Sequence, residues 1–279
     1  MRVTFASYDD EPPLGGQGVM LRGMRSALQQ RGVSVTTVSA RGVHAIGFPR
    51  VTGRAPLDFS LQLHRTPELL LREHPDVIHA FGGPGGVLLL RNLGVPLVYT
   101  ANHTYRQAYR RGQVKRGLGP LEARAYRGAA QVLALSGSTA NAVRDMGVRP
   151  SRISVLMPGV DVPEEAATER EPGRVLFVGR LEAEKGIADA VIVMRALLRN
   201  GRAEQAVIIG TGSLEEQTRG HTLTEPRIEL RGSISQEALR QEYARAAILL
   251  MPSQYEGLGL VALESQAAAT PVAGYNVDG

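Results

Sequence analysis

The chain contains no cysteine, which excludes disulfides, zinc–thiolate centres and thiol nucleophiles and suits any redox compartment. No apolar run approaches the ~20 residues needed to cross a bilayer. The N-terminus passes straight into Arg2-Val3-Thr4-Phe5-Ala6-Ser7 and not into a signal peptide, so a cytoplasmic protein is expected. Without secretion, the sequon Asn102-His103-Thr104 is incidental. Lysine is nearly absent as well. Of 32 Lys and Arg residues only Lys115 and Lys185 are lysines, so the place of each carries information. No internal repeat or low-complexity array is present.

At 279 residues the chain is long enough for two α/β domains. Its charge is uneven. Residues 1–163 carry 20 Lys and Arg against 10 Asp and Glu, and residues 164–279 carry 12 against 17. A basic first half suggests an anionic partner or a membrane surface; the alternative is an arginine-rich composition with no partner.

Strand-like runs alternate with helical spacing from the start. Arg2 to Ser7 leads through Leu14-Gly15-Gly16-Gln17-Gly18 into a helix over Val19 to Gln30, and Val33 to Ala40 follows as a strand. Residues 41 to 60 read as irregular, and Leu61 to Glu73 as a helix ended near Pro75. Further strands are expected at Asp76 to Phe81, Pro96 to Ala101, Gln131 to Ser136 and Ile153 to Met157, with helices over Val87 to Leu93 and Ser138 to Met146. Such alternation predicts parallel sheets with ligands at the carboxyl ends of the strands. His79 and His103 are expected at that edge, His79 more as a structural residue and His103 more as a functional one. Tyr105 to Arg116 interleaves Arg106, Arg110, Arg111, Lys115 and Arg116 with tyrosines, a pattern suited to acidic lipid or an anionic acceptor, or to a plain solvated helix. Nucleic acid ranks last, because no nucleic-acid-binding module surrounds the run. The polar stretch Glu164 to Pro172 marks a boundary between domains at 1–163 and 164–279.

The second half restarts the pattern at Arg174 to Arg180 and continues with strands at Ala206 to Gly210, Arg227 to Gly232, Ile248 to Met251 and Pro271 to Gly274. Arg180 at a strand end and Lys185 at a helix start could bracket an anion; salt bridges to neighbouring glutamates are the competing reading. The strand Ile248 to Met251 feeds Ser253-Gln254-Tyr255-Glu256-Gly257-Leu258-Gly259, and a helix then carries Glu264. On a helix two glutamates eight positions apart would be separated by roughly 12 Å, beyond the ~5–9.5 Å of a glycosidase carboxylate pair. They suit the two ends of an elongated ligand better, with the N–H groups of the glycine loop facing phosphate or a sugar hydroxyl. The competing reading is a first-turn glutamate complementing the helix dipole and a second one in solvent.

In combination, Leu14-Gly15-Gly16-Gln17-Gly18, Val178-Gly179-Arg180-Leu181 with Lys185-Gly186, Gly210-Thr211-Gly212, and Glu256-Gly257-Leu258-Gly259 reaching Glu264 resemble the GT-B-type retaining glycosyltransferases of group 1, family 4-like. The resemblance covers nearly the whole chain. It implies two Rossmann-like domains with parallel sheets facing across a cleft, the donor being held mainly by the second. Arg180 and Lys185 would bind the diphosphate of a UDP- or GDP-sugar and stabilise its departure. Glu256 would meet the donor sugar's hydroxyls, His103 the transferring sugar near its reacting carbon, and Glu264 the ribose. The N–H groups of Gly257, Leu258 and Gly259 would hold sugar and phosphate. Gly15 and Gly16, across the cleft, together with Gly210 and Gly212, would line the nucleotide-sugar site, and the backbone around Arg231 and Gly232 would line the base pocket. No cofactor is implied.

No Asp-x-Asp motif is present to hold a divalent ion, and Asp9-Asp10 sits in a turn without an obvious partner, so metal-independent transfer with retention is expected. The acceptor is a hydroxyl compound, anionic or lipid-linked if the basic half meets it, which would place the protein peripherally at the inner face of the membrane. Two departures stand out. Ala268-Ala269 precedes Thr270-Pro271-Val272 where the family has a small residue and glycine, and the chain stops at Asp278-Gly279 where family members continue. The second domain is therefore expected to be incomplete. A non-catalytic sugar-nucleotide-binding remnant is the alternative. A nicotinamide-dependent oxidoreductase is a third reading that lacks the clean Gly-x-Gly-x-x-Gly and its acidic partner.

Overall fold

In both halves, strands of aliphatic and β-branched residues return in parallel through helices, because the next strand lies on the same side of a right-handed crossover. The computed structural model describes residues 1–12, 16–83, 86–88, 93–110, 117–162 and 170–277. They divide into two units, Met1–Pro158 and Gly159–Gly279.

The first unit runs β1 (Arg2–Ser7), α1 (Gly16–Gln30), β2 (Ser34–Ser39), α2 (Ala55–Arg65), α3 (Glu68–Leu71), β3 (Val77–Gly82), β4 (Leu97–Ala101), α4 (Tyr105–Arg110), α5 (Gly119–Gly128), β5 (Gln131–Ala134), α6 (Gly137–Asp145) and β6 (Ile153–Val155). Its sheet is parallel throughout, in the order β2-β1-β3-β4-β5-β6. Phe59, Leu63, Ile78, Tyr99, Tyr126 and Val132 fill its core. The helix expected over Leu61 to Glu73 is instead two helices, α2 and α3, separated at Thr66-Pro67, where proline supplies no N–H to continue the ladder. α2 also begins at Ala55, inside the stretch expected to be irregular, with Pro56 in its first turn. Of the helix expected over Val87 to Leu93, Val87 and Leu88 are irregular and residues 89–92 lie outside the described residues; so do residues 111–116 of the basic run.

The second unit runs β7 (Arg174–Val178), a 3-10 turn (Ala183–Lys185), α7 (Ile187–Arg199), β8 (Gln205–Ile209), α8 (Glu215–Leu223), β9 (Ile228–Leu230), α9 (Gln236–Arg245), β10 (Ile248–Met251), α10 (Leu260–Ala267) and β11 (Val272–Gly274). The parallel order is β11-β10-β7-β8-β9. The period-two alternation of strands assigns one set of side chains to each face. Val175, Phe177, Ala206 and Ile208 pack with Ile187, Val191, Met194 and Leu198 of α7, while Leu176, Val207, Ile209 and Leu249 pack with Tyr243 of α9. Each large apolar side chain buried by α7 contributes roughly 1.5–3 kcal/mol relative to exposure. Both faces are thereby covered, as a parallel sheet requires. The order of strands has a direct consequence for the site. β10 and β8 flank β7, so the loops after all three emerge side by side at one edge.

Candidate functional site

The loops after β7, β8 and β10 are locked by main-chain contacts. Gly210 has φ 139°, and a Cβ there would stand 1.8 Å from the Gly179 carbonyl oxygen. Gly186 has φ 70°, and its Cβ would stand 1.9 Å from the Pro252 carbonyl oxygen. Only glycine fits such approaches. Gly212 lies against the backbone of Leu181, whose N–H donates to the Thr211 carbonyl at 2.9 Å. Gln254 N–H donates to the Glu184 carbonyl at 3.0 Å. Glu182 then ties the first two loops together by side chain, accepting from Ser213 N–H at 2.9 Å and from its hydroxyl at 2.5 Å. Those two bonds, the hydroxyl's first, hold the Glu182 carboxyl below its ordinary pKa against partial burial.

On this scaffold the two predicted cations each meet a glutamate. Lys185 Nζ donates to Glu256 Oε1 at 2.7 Å, and the Ser253 hydroxyl donates to the same oxygen at 2.7 Å. Arg180 donates to Glu184 Oε1 at 2.8 Å and stays 55% exposed, against 22% for Lys185. The structure thus joins Lys185 to Glu256, separated by 71 positions in sequence, and leaves Arg180 in a local, solvent-facing pair. Next to Glu256, the N–H groups of Gly257, Leu258 and Gly259 have no hydrogen-bond acceptor among the described residues. Gly259, with φ 70°, opens α10. An ammonium group and a row of N–H groups at a helix start suit an anion.

Glu264 lies within α10, and its Oε2 accepts from the Tyr243 hydroxyl at 2.9 Å. Burial pushes its carboxyl above the ordinary range, opposed by the tyrosine bond and the charge of Arg240. The Arg231 side chain is committed elsewhere. It makes a bidentate pair with Glu229 at 2.7 and 2.8 Å and reaches Glu242 at 2.7 Å. Its N–H bonds the Ile208 carbonyl, while the Gly232 carbonyl accepts from Gly210 N–H at 2.8 Å, so only main chain connects this segment to the loop after β8.

In the first unit, Gly15 lies outside the described residues and Gly16 is exposed at the start of α1. Gln17 joins two loops. Its amide N–H donates to Ser7 Oγ at 3.0 Å and its carbonyl accepts from Asn102 Nδ2 at 3.3 Å. His103 is half-buried in the loop after β4, with its carbonyl against Gly83. His79 is structural, as favoured, but its expected position is corrected. It is not at the ligand edge but in the middle of β3, buried, bonded through Nε2 to Thr100 Oγ1 at 2.7 Å and stacked on Phe81 at 5.0 Å. Burial lowers its pKa to about 4. The Asp9-Asp10 pair is also corrected: Asp10 is partnered, its carboxylate meeting Arg25 at 3.2 Å and His44 Nδ1 at 2.7 Å. Among the described residues no group of three or more His, Cys, Asp or Glu could hold a metal ion.

The family model Glycosyltransferase Family 4 matches residues 14–164, and Glycosyl transferases group 1 matches residues 162–279. The chain belongs to the group 1 glycosyltransferases. Among its relatives, the glycogen synthase of Mycobacterium tuberculosis is 29% identical over 220 residues, covering 74% of this chain and 53% of its own. The D-inositol 3-phosphate glycosyltransferase of Nocardia farcinica is 31% identical over 255 residues, covering 79% and 56%. The chain spans little more than half the length of these relatives. Among solved structures, sucrose-phosphate synthase from Thermosynechococcus elongatus superposes with a TM-score of 0.78 at 18% identity, over 100% of this chain and 82% of that one. Anabaena HepE in complex with UDP-glucose gives 0.71 at 17% identity, over 100% and 81%. At these identities the likeness is one of fold, the GT-B pair of parallel α/β sheets.

Proposed function

We propose that the protein transfers a sugar from a nucleoside-diphosphate donor to a hydroxyl acceptor, with retention and without a metal ion. The observation that carries this reading is the Lys185–Glu256 pair on an edge whose spacing is set by main-chain contact, beside unpartnered N–H groups of Gly257, Leu258 and Gly259. A departing diphosphate develops negative charge, and a fixed ammonium with helix-start dipoles stabilises it without reorganising. Arg180 joins Lys185 by leaving Glu184, a cheap exchange for an exposed pair. Glu256 then receives the sugar hydroxyls and Glu264 the ribose, while Gly210, Gly212 and the main chain of Arg231 and Gly232 adjoin the nucleotide. Gly15, Gly16 and His103 keep the roles the family resemblance gives them. The acceptor hydroxyl attacks from the side the leaving group vacates. The UDP-glucose complex of HepE makes a uridine donor the first to try.

For the acceptor, the basic first unit supports an anionic or lipid-linked molecule and peripheral contact at the inner face of a membrane. Arg106 and Tyr109 are exposed on α4, and no described helix is long and apolar enough to cross a membrane. A thermal-shift panel of uridine, guanosine and adenosine diphosphate sugars tests the donor site, followed by turnover with and without chelator. One donor series is expected to raise the melting temperature. An unchanged melting temperature across the panel overturns the donor assignment; activity lost to chelator and restored by magnesium or manganese overturns metal independence.

A further inference from the structure

Glu264 and Glu256 have the same headgroup and different keepers. Glu256 is held by an ammonium and a serine hydroxyl, whereas Glu264 has one neutral donor among the described residues, the phenol of Tyr243. Tyr243 is 2% exposed, its ring packed under β7, β8 and β10 with Leu176, Val207 and Leu249. It grips α10 twice. Its hydroxyl reaches Glu264 Oε2 at 2.9 Å, and its carbonyl accepts from Thr270 Oγ1 at 2.6 Å; the Thr270 carbonyl in turn takes the Ser265 hydroxyl at 3.0 Å. The Thr270 hydroxyl also lies 3.3 Å from the Ala246 carbonyl, so the end of α9 and the end of α10 form one hydrogen-bonded unit.

A phenol can give only one hydrogen bond, and it gives it to Oε2. Glu264 Oε1 has no partner among the described residues. A free glutamate samples many rotamers, and a carboxylate buried without a donor takes up a proton instead of accepting bonds. Tyr243 counters both tendencies at once.

We propose that Tyr243 is the positioning residue for nucleoside recognition: by occupying Oε2 it sets Glu264 so that Oε1 accepts from a ribose hydroxyl, and it thereby makes the site selective for ribose over deoxyribose. This rests on the reading that Glu264 meets the ribose. The balance of burial against the tyrosine bond on the Glu264 carboxyl agrees with it.

The test measures binding by calorimetry of uridine and guanosine diphosphate and their 2′-deoxy and 3′-deoxy counterparts to the wild type, Tyr243→Phe and Glu264→Gln. Wild type is expected to prefer the ribonucleotide over at least one deoxy form. In Tyr243→Phe the ribonucleotide should weaken about five- to tenfold while that deoxy form changes less than about twofold, as for one lost positioned hydrogen bond. Equal weakening of both, or of neither, overturns the role of Tyr243. Glu264→Gln separates the two ideas: if it leaves the ribose preference intact, Glu264 does not meet the ribose and the underlying reading fails with this inference. Should Tyr243→Phe unfold, the double variant Tyr243→Phe/Glu264→Gln reports on the same contact. Its melting temperature should recover towards wild type because the stranded carboxylate is gone, and no recovery would reduce Tyr243 to a core residue.

Discussion

Two ion-pair clusters sit on the same sheet of the second unit and show opposite states of saturation. At the start of β7, Arg174 is 2% exposed and bonds Glu242 Oε2 twice, Glu171 at 2.9 Å and Gln205 at 2.7 Å, while Glu242 Oε1 also receives Arg231. After β7, Lys185 makes one bond, to a glutamate that shares the same oxygen with Ser253. Arg174 has four of its five N–H donors on protein acceptors, and the first cluster stays closed. The second keeps an ammonium with capacity for two further bonds, and carboxylate oxygen Glu256 Oε2 without a partner among the described residues. Charge alone therefore does not set the two clusters apart on this sheet; unfilled hydrogen-bonding capacity does, and it is the reason the proposed donor site is put at the second.

Replacing Lys185 with Ala attacks that contrast most directly. Turnover is expected to fall by about 10²–10³-fold, as for loss of a transition-state donor, with little change in melting temperature. Steady-state kinetics beside a thermal melt check it, and near-normal turnover would remove Lys185 from leaving-group support. The mirror experiment is Glu242→Ala, which strands Arg174 in the core. It should cost about 3 kcal/mol of stability in a denaturant titration. Nucleotide affinity of the folded fraction should stay unchanged, and a specific loss of affinity would show that the first cluster is not purely structural.

A smaller effect sharpens the comparison from the first unit, where a buried carboxylate is held by neutral donors. Glu122 accepts from Tyr105 N–H at 2.8 Å and from the Tyr126 hydroxyl at 3.1 Å, and burial raises its pKa from 4.5 to about 8. The folded state then binds the proton more tightly than the unfolded one. The stability Glu122 contributes is present below pH 4.5 and lost as pH rises towards about 8. His79 acts in the opposite window. Its pKa is depressed from 6.5 to about 4, so its contribution is present above pH 6.5 and lost as pH falls towards about 4. Glu122→Gln should remove the fall in stability that spans pH 4.5 to about 8, including the part that opposes the His79 term below pH 6.5, which melts between pH 4 and 9 would show.

The parallel architecture was legible because both strand and helix periods were clean: strands were expected at the places of β1 to β11, and the loops after β7, β8 and β10 were recognised by their glycines. Two elements escaped. α5 and α9 carry few large apolar residues, Leu121 and Tyr126 in one and Leu239 and Tyr243 in the other, so periodicity is weak although both tyrosines are buried. With them escaped Glu122 and Tyr243, whose roles depend on partners 17 and 21 positions away. Partner choice among charges was equally out of reach. Sequence placed Arg180 and Lys185 together as cations, but that one meets Glu184 four residues on and the other Glu256 on another strand's loop depends on β10 lying beside β7. The break at Pro67 was in principle readable, since the proline itself was the signal.

The fit of Gly186 against Pro252 and of Gly210 against Gly179 reaches beyond stability. Because those contacts are main chain on main chain, most side-chain substitutions along the loops leave the distance between them untouched. Substitutions at the loop tips should therefore change the surroundings of the Lys185–Glu256 pair while the spacing of the loops that carry it stays the same. For the proposed donor site this means that selectivity can be altered at the loop tips without altering the spacing of the loops themselves.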